Sequence, residues 1–166
     1  MIDFKHVIKM VSIETLLYII KDGKVLLILK KKGLGCGFYN GVGGKVEPNE
    51  TVEQAVIREC KEEVGITPKN IRWMGLLEFY NDSRLYGYVY VFVTNEFEGT
   101  PIETDEAKPF WFDIKEIPYD KMWEDDRFWL PLVLSGKRIL GRFWFEDNWK
   151  RLVKREVYVL EKVTYE

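Results

Sequence analysis

The chain has 166 residues, of which 46% are hydrophobic and 31% charged, and its formal net charge is −2 at pH 7. This composition predicts a single soluble globular domain over residues 1–166, and the near-neutral charge argues against a nucleic-acid polymer or an anionic membrane as a partner. No apolar run is long enough to cross a bilayer, and the two cysteines, Cys36 and Cys60, are too few for a disulfide framework.

Alternating and β-branched apolar runs predict most of the strands. Residues 13–20 and 24–30 are expected to form a hairpin, because the Asp22-Gly23 dipeptide between them favours a tight turn. The six glycines within 33–45 predict a loop. Further strands are predicted at 71–80, 86–94, 108–113, 138–145 and 156–164, with a helix at 126–134. This order of elements predicts an α/β domain with helices packed on a mixed sheet.

The most clearly delimited helix is predicted at 51–64. Thr51 and Gln54 have the spacing of a capping box at its start, and Gly65 followed by Pro68 ends it. Its apolar residues form one stripe that should face the core: Val52, Ala55, Val56, Cys60 and Val64.

Three acidic residues of this helix have the spacing of a metal site. Glu59 and Glu63 share a helix face and Glu62 lies beside them, and like charges so placed destabilise a helix by roughly 0.2–0.5 kcal/mol per pair. Mg²⁺ would remove this repulsion, since it prefers carboxylate and phosphate oxygens, and the preceding glycine loop would let backbone groups approach a phosphate. A solvated Glu/Lys face is the alternative, but it explains neither the loop nor the spacing.

The stretch 44–66 resembles the Nudix box, Gly-x5-Glu-x7-Arg-Glu-U-x-Glu-Glu-x-Gly-U, in which U is apolar. The fixed positions are matched by Gly44, Glu50, Arg58, Glu59, Glu62, Glu63 and Gly65, and the apolar ones by Cys60 and Ile66. The resemblance to Nudix hydrolases implies the Nudix fold, an α/β/α sandwich with a central mixed sheet and a loop–helix–loop catalytic box.

The resemblance also implies how the box works. The implied metal ligands are Glu59, Glu62, Glu63, Glu106 and the backbone carbonyl of Gly43, with Mg²⁺ as cofactor and Mn²⁺ as its expected substitute. Arg58 would orient the carboxylates by charge-assisted hydrogen bonds, and Glu50 would support the loop. The metal would lower the pKa of a water that attacks phosphorus, and Glu62 or Glu106 would deprotonate or position it; the sequence leaves both open. The implied catalytic residues are therefore Arg58, Glu59, Glu62, Glu63 and Glu106.

Similarity beyond the box is greatest to the MutT-type branch that hydrolyses oxidised purine nucleoside triphosphates to the monophosphate and pyrophosphate. Residues 15–145 follow the pattern of that branch, most clearly at 30–33, 39–45, 99–106 and 122–129. The implied substrate-binding residues are Thr15, Lys30, Asn40, Val42, Gly43, Gly44, Lys45, Phe79, Trp123, Glu124, Asp125, Asp126 and Trp129.

Elementary chemistry supports part of this pocket. Trp123 offers a flat face for a base, and Asp125 and Asp126 can read a purine edge when one is protonated, because burial and mutual repulsion raise one pKa. Other interpretations stay open: Trp123 and Trp129 as core residues, Asp126 as a helix N-cap, Thr15 as an ordinary strand residue and Lys30 as part of a solvated strand end.

Two residues depart from the pattern of the branch. Leu34 stands where the branch has an aromatic residue beside the base, and Gly87 stands where it has a methionine on the pocket wall. Both changes remove contact area, so we expect a wider pocket and weaker discrimination among modified purines. The pattern predicts no role for the tail after about residue 145.

The expected function is therefore sanitation of the nucleotide pool, a form of DNA repair, by hydrolysis of triphosphates such as 8-oxo-dGTP. One alternative is a broader Nudix hydrolase acting on other nucleoside diphosphate derivatives, and another, disfavoured by the intact box, is a non-catalytic nucleotide sensor. The expected partner is a small nucleotide, and the expected state is a monomer. Charged residues interrupt any early apolar run, namely Asp3, Lys5, His6 and Lys9, so we expect no signal peptide and a cytoplasmic location.

Overall fold

Residues 11–160 are described by the computed structural model. Their elements in chain order are β1 (Ser12–Lys21), β2 (Lys24–Lys30), β3 (Tyr39–Asn40), α1 (Val52–Val64), β4 (Thr67–Lys69), β5 (Arg72–Asn81), β6 (Arg84–Thr94), β7 (Glu96–Glu98), β8 (Ala107–Asp113), α2 (Asp126–Leu134), β9 (Ile139–Glu146) and β10 (Arg151–Val159). Two 3₁₀ turns, Ile114–Glu116 and Tyr119–Lys121, lie between β8 and α2. No helix within this range is both long and apolar enough to cross a membrane.

One large mixed sheet organises the fold. Its strand order is β10-β9-β5-β6-β1-β2-β3, and β8 also pairs with β2. The pairs β1–β6 and β5–β9 are parallel, whereas the other pairs in this sheet are antiparallel. The short strands β4 and β7 form a separate antiparallel pair. The prediction of a central mixed sheet is confirmed.

The sheet is covered on both faces because consecutive side chains of its central strands point to opposite sides. In β1, Leu17 and Ile19 join the buried cluster that contains the apolar stripe of α1, whereas Tyr18 joins the cluster that contains Trp129 and Leu130 of α2. The two helices therefore lie on opposite faces, and the predicted α/β/α sandwich is confirmed.

The local predictions for the first hairpin and for α1 are confirmed. Asp22 and Gly23 both have positive φ, 52° and 74°, as the favoured two-residue hairpin turn requires. The capping box of Thr51 and Gln54 forms in full, and Gly65 ends α1 in the left-handed region at φ 73°.

The last strand, β10, lies earlier in the chain than the sequence predicted. It begins at Arg151 rather than at residue 156, and residues 161–164 of the predicted strand lie outside the described residues. The helix at 126–134 is confirmed with both bounds. The sequence did not predict β3, β4 and β7, which are two or three residues long and too short to show a periodic pattern.

Candidate active site

Arg58 joins the loop before α1 to the acidic side chains of that helix. Its Nε and Nη2 donate to the two carboxylate oxygens of Glu50 at 2.7 and 3.0 Å, and its Nη1 donates to Glu59 at 2.8 Å and to Glu62 at 3.2 Å. Nη2 also donates to the carbonyl of Lys45 at 2.9 Å. The hydrogen bonds from Arg58 lower the pKa of Glu50 to about 2. Arg58 therefore holds loop and carboxylates in one arrangement.

Three carboxylates meet beside Arg58. Oxygen atoms of Glu59, Glu62 and Glu106 all lie within 4.8 Å of one another. Burial raises the pKa of Glu59, with Arg58 acting against this and Glu62 and Glu106 adding to it. A Cβ on Gly44 would lie 2.6 Å from the Glu59 carboxylate, so glycine is what allows the loop to approach so closely. An all-oxygen donor set with mutual repulsion fits a hard divalent cation such as Mg²⁺ or Mn²⁺.

Glu106 reaches this cluster because the segment before β8 is docked on the end of α1. Ile102 N donates to the carbonyl of Val64 at 2.9 Å, and Thr104 Oγ1 donates to the carbonyl of Glu63 at 2.7 Å. These bonds use carbonyls that the last turn of a helix leaves free. A residue more than forty positions from Glu62 is thereby brought to the same carboxylate cluster.

Glu63 is placed differently from the three clustered carboxylates. It is 4% exposed, and its Oε1 accepts a hydrogen bond from the backbone N–H of Gly43 at 2.8 Å. Burial raises the pKa of Glu63 to about 8, and the Gly43 N–H opposes the rise. Glu63 also lines the neighbouring cavity, which Glu59, Glu62 and Glu106 do not.

A cavity of about 300 Å³ lies next to this cluster, within the size range of small-molecule sites. Of the predicted residues, those that line it are Thr15, Lys30, Asn40, Gly43, Gly44, Lys45, Glu63, Phe79, Trp123, Asp125 and Asp126. Its lining thus combines backbone and acidic groups of the box with two lysines and with aromatic rings. This arrangement suits an anionic chain beside the carboxylate cluster and a ring system farther along the cavity.

Three predicted substrate-binding residues do not line the cavity. Val42 is buried in the core on the α1 side, and Trp129 is fully buried in the core on the α2 side, as one of the open interpretations held. The carboxylate of Glu124 accepts a hydrogen bond from the backbone N–H of Leu152 in β10 at 3.0 Å. Glu124 therefore ties the segment before α2 to the last hairpin.

Asp125 and Asp126 are both buried at the cavity wall, each 2% exposed. Trp129 Nε1 donates to Asp125 Oδ2 at 2.8 Å, whereas Asp126 Oδ2 has no hydrogen-bond partner within residues 11–160. Burial raises the pKa of Asp125 to about 6, and burial together with the Asp125 charge raises that of Asp126. Burial and the closeness of the two carboxyl groups therefore favour the protonated form of the pair, and Asp126 Oδ2 is left without a partner at the cavity wall.

The interpretation of Asp126 as a helix cap is wrong. Asp126 is the first residue of α2, and Asp125, which precedes the helix, makes no side-chain capping hydrogen bond. Neither carboxyl group of the pair therefore caps the N-terminus of α2.

Several lining residues were missed by the sequence analysis: Glu14, Leu16, Ile28, Gly41, Tyr86, Val89, Phe145 and Trp149. Glu14 had a detectable signal, since it is a charged residue inside a strand predicted to be largely buried. Leu34 lines the cavity, but Gly87 does not, and a Cβ at Gly87 would lie 2.1 Å from the backbone oxygen of Ser12.

We expect Asp126→Asn to stabilise the protein at neutral and higher pH. A carboxyl whose pKa is raised on folding favours the folded state below its unfolded value, about 3.9, and this advantage is lost as the pH rises through the folded value. For Asp125 that value is about 6, and the pKa of Asp126 is also raised. Wild-type stability should therefore fall between pH 4 and pH 8 more steeply than that of the variant.

Thermal unfolding of both proteins across this range measures the effect, with a gain of about 2–4 °C in Tm for each kcal/mol expected at this chain length. Asp120→Asn is the matched control, because the Asp120 side chain is 97% exposed. A Tm difference that does not grow with pH would contradict a buried, ionising pair.

With this geometry established, the class of the protein follows from comparison with known families. A family model for the NUDIX domain matches residues 13–133, and the chain belongs to the Nudix family of hydrolases. The matched range contains the whole box, the carboxylate cluster and most of the cavity wall.

Individual members of known families are similar to this chain over most of its length. The oxidized purine nucleoside triphosphate hydrolase of Danio rerio is 46% identical over 136 residues, which cover 81% of this chain and 86% of that protein. The oxidized purine nucleoside triphosphate hydrolase of Mus musculus is 38% identical over 136 residues, which again cover 81% of this chain and 86% of that protein. The crystal structure of the mutator MutT protein of Bacillus halodurans is similar with a TM-score of 0.78 at 25% identity, covering 89% of this chain and 97% of that one.

Proposed function

We propose that this Nudix hydrolase converts oxidised purine nucleoside triphosphates, such as 8-oxo-dGTP, to the nucleoside monophosphate and pyrophosphate with Mg²⁺. The main supporting observation is the buried Asp125–Asp126 pair on the wall of a cavity that adjoins the carboxylate cluster. The similarity to two enzymes described as oxidized purine nucleoside triphosphate hydrolases points to the same substrates.

The base would be read by the Asp pair and held by aromatic rings. Recognition of a purine edge needs a donor and an acceptor on the protein, and two carboxyl groups supply both when they share one proton. Asp126 Oδ2 is buried and unpaired within the described range, so a base that fills its hydrogen-bonding capacity removes a desolvation cost. Trp123 lies beside the pair and offers a stacking face.

The triphosphate would lie toward the box. Lys30 and Lys45 line the cavity and partly offset the charge of the phosphates and carboxylates. Glu59, Glu62 and Glu106 would hold the metal, with Glu63 and the backbone carbonyl of Gly43 as further ligands. When bound, the metal would polarise phosphate oxygens and lower the pKa of a water. Glu62 or Glu106, each a carboxylate of this cluster, would position or deprotonate the attacking water. Arg58 would keep Glu59 and Glu62 oriented throughout.

The physiological role that follows is sanitation of the nucleotide pool, by a monomer in the cytoplasm whose domain comprises residues 1–166. Cys36 and Cys60 are both free thiols, which is compatible with a reducing compartment.

The products are expected to be a nucleoside monophosphate and pyrophosphate. This choice of bond follows from the resemblance of residues 15–145 to the MutT-type branch, since the geometry of the box alone fits several phosphoanhydrides. Ion-exchange chromatography of 8-oxo-dGTP reactions, with a malachite-green assay before and after added pyrophosphatase, identifies both products. A nucleoside diphosphate with orthophosphate would mean that the other anhydride bond is cleaved.

A turnover assay tests the proposed substrate class. The assay measures kcat/KM with Mg²⁺ for 8-oxo-dGTP, 2-hydroxy-dATP, dGTP, dATP and ADP-ribose. These values distinguish hydrolysis of oxidised purine triphosphates from a broader Nudix activity. We expect the oxidised purine triphosphates to be preferred over dGTP and dATP. Faster hydrolysis of ADP-ribose would favour the broader hydrolase, and binding without turnover of any compound would favour a nucleotide sensor.

A further inference from the structure

Trp149, in the turn between β9 and β10, belongs to the wall of the cavity. Its ring centroid lies 6.0 Å from that of Trp123, 5.4 Å from Phe145, 6.5 Å from Phe79 and 4.9 Å from Tyr86. The contact with Tyr86 is edge-to-face, at an interplanar angle of 86°. Rings from four separate segments therefore meet around one indole, and all of them line the cavity.

The backbone around Trp149 is held in an unusual conformation. Asp147, Asn148 and Trp149 have φ of 54°, 54° and 70°, in the left-handed region that bulky residues rarely adopt. Such a conformation persists only where the surroundings impose it, and it is frequent at ligand sites. The turn between β5 and β6 imposes it here: Asn81 Oδ1 accepts from Trp149 N and Asp82 Oδ1 accepts from Asp147 N, both at 3.1 Å.

The same hairpin is bonded to the segment that carries the Asp pair. Leu152 N in β10 donates to Glu124 Oε2 at 3.0 Å, one residue before Asp125. The hairpin that carries Trp149 is therefore bonded both to the turn after β5 and to the segment that precedes Asp125.

The cavity wall beside Gly87 is formed by neighbouring side chains rather than by that position. Gly87 offers no surface to the cavity, and the 2.1 Å approach of its hypothetical Cβ to Ser12 leaves no room for a larger residue. Tyr86 and Val89 of β6 line the cavity on either side of this glycine, and Trp149 packs on Tyr86. The widening expected at Gly87 therefore does not arise, and Trp149 with Tyr86 closes this part of the wall.

We propose that Trp149 is a specificity-determining residue that contacts the nucleobase and favours bicyclic purines over single-ring pyrimidines. The inference rests on the proposed function only in placing a nucleobase in this cavity. A wall of aromatic rings gains more contact from a purine than from a pyrimidine, because stacking and edge contacts increase with ring area.

The test compares Trp149→Ala with Trp144→Ala. Trp144 is a matched control, since it lies in the same hairpin, is half-buried, stacks on Tyr80 at 5.1 Å and does not line the cavity. Calorimetry without metal gives Kd for 8-oxo-dGMP, dGMP, dCMP and pyrophosphate, and kinetics with Mg²⁺ give kcat and KM for 8-oxo-dGTP.

Trp149→Ala should raise Kd for both purine monophosphates by about 10-fold, with a smaller effect on dCMP and none on pyrophosphate. The KM for 8-oxo-dGTP should rise in parallel while kcat changes little, and Trp144→Ala should change none of these values. Trp149→Phe keeps an aromatic ring, so its loss of affinity for the purine monophosphates should be about a third of that of the alanine variant. This variant provides the measurement if Trp149→Ala does not fold.

Equal Kd values for Trp149→Ala and Trp144→Ala, in folded proteins, would overturn the inference while leaving the proposed hydrolysis intact. A wild type that binds purine monophosphates through Trp149 but does not hydrolyse 8-oxo-dGTP would overturn the proposed function and support the inference. A wild type that binds no purine monophosphate would overturn both. An equal loss for purines and dCMP would overturn the proposed preference.

Discussion

Glu63→Gln is expected to lower kcat by about 10²-fold or more, comparable to the loss of one strong electrostatic stabiliser in an active site. Glutamine keeps an oxygen that can accept the 2.8 Å hydrogen bond from the Gly43 N–H, so the loop should stay in place while the negative charge is lost. Steady-state kinetics over a range of Mg²⁺ and Mn²⁺ concentrations measure both kcat and the apparent metal affinity.

The metal-free variant should be no less stable than the wild type. Glu63 is buried near Glu59 and Glu106, and burial raises its pKa to about 8, so the metal-free protein already favours a neutral group at this position, as the amide of glutamine is. Glu53→Gln is the control, because Glu53 lies in the first turn of the same helix and is exposed. Near wild-type turnover of Glu63→Gln in Mg²⁺ would refute its assignment to the metal chemistry.

Asp125→Asn and Asp126→Asn are expected to change substrate preference more than metal dependence. The loss of a buried hydrogen bond to the base should cost about 1–3 kcal/mol, which is a loss of roughly 5–150-fold in kcat/KM. Asparagine cannot share a proton with its neighbour, so the pattern of donors and acceptors at the cavity wall changes. The two variants should therefore differ in which purine they disfavour.

The measurement is kcat/KM for 8-oxo-dGTP, 2-hydroxy-dATP, dGTP and dATP on the wild type and both variants, together with their Mg²⁺ titrations. Asp120→Asn again provides an exposed control. If both variants kept the wild-type ranking of substrates, the pair would not read the base. Helix capping would not explain such a result, since neither carboxyl group caps α2 through its side chain.

The sequence by itself determined the features that depend on neighbouring residues. The capping box at Thr51, the left-handed Gly65 and the turn at Asp22-Gly23 each follow from the conformational preferences of a few adjacent residues. The apolar stripe of α1 and the spacing of its glutamates are likewise properties of a single helix. The box could therefore be recognised from the spacing of its residues, by resemblance to the Nudix motif, before the fold was known.

Only the tertiary structure decided how distant residues are brought together in the site. Glu106, which the family resemblance had implied as a ligand, reaches Glu59 and Glu62 because the segment at 102–106 bonds to the end of α1. The raised pKa of Asp126 follows from its burial and from the neighbouring Asp125. Trp149 enters the cavity wall through a left-handed turn braced by Asn81, for which no local pattern exists. Periodicity and capping record interactions within a few residues, whereas these contacts arise only when separate strands and loops pack together.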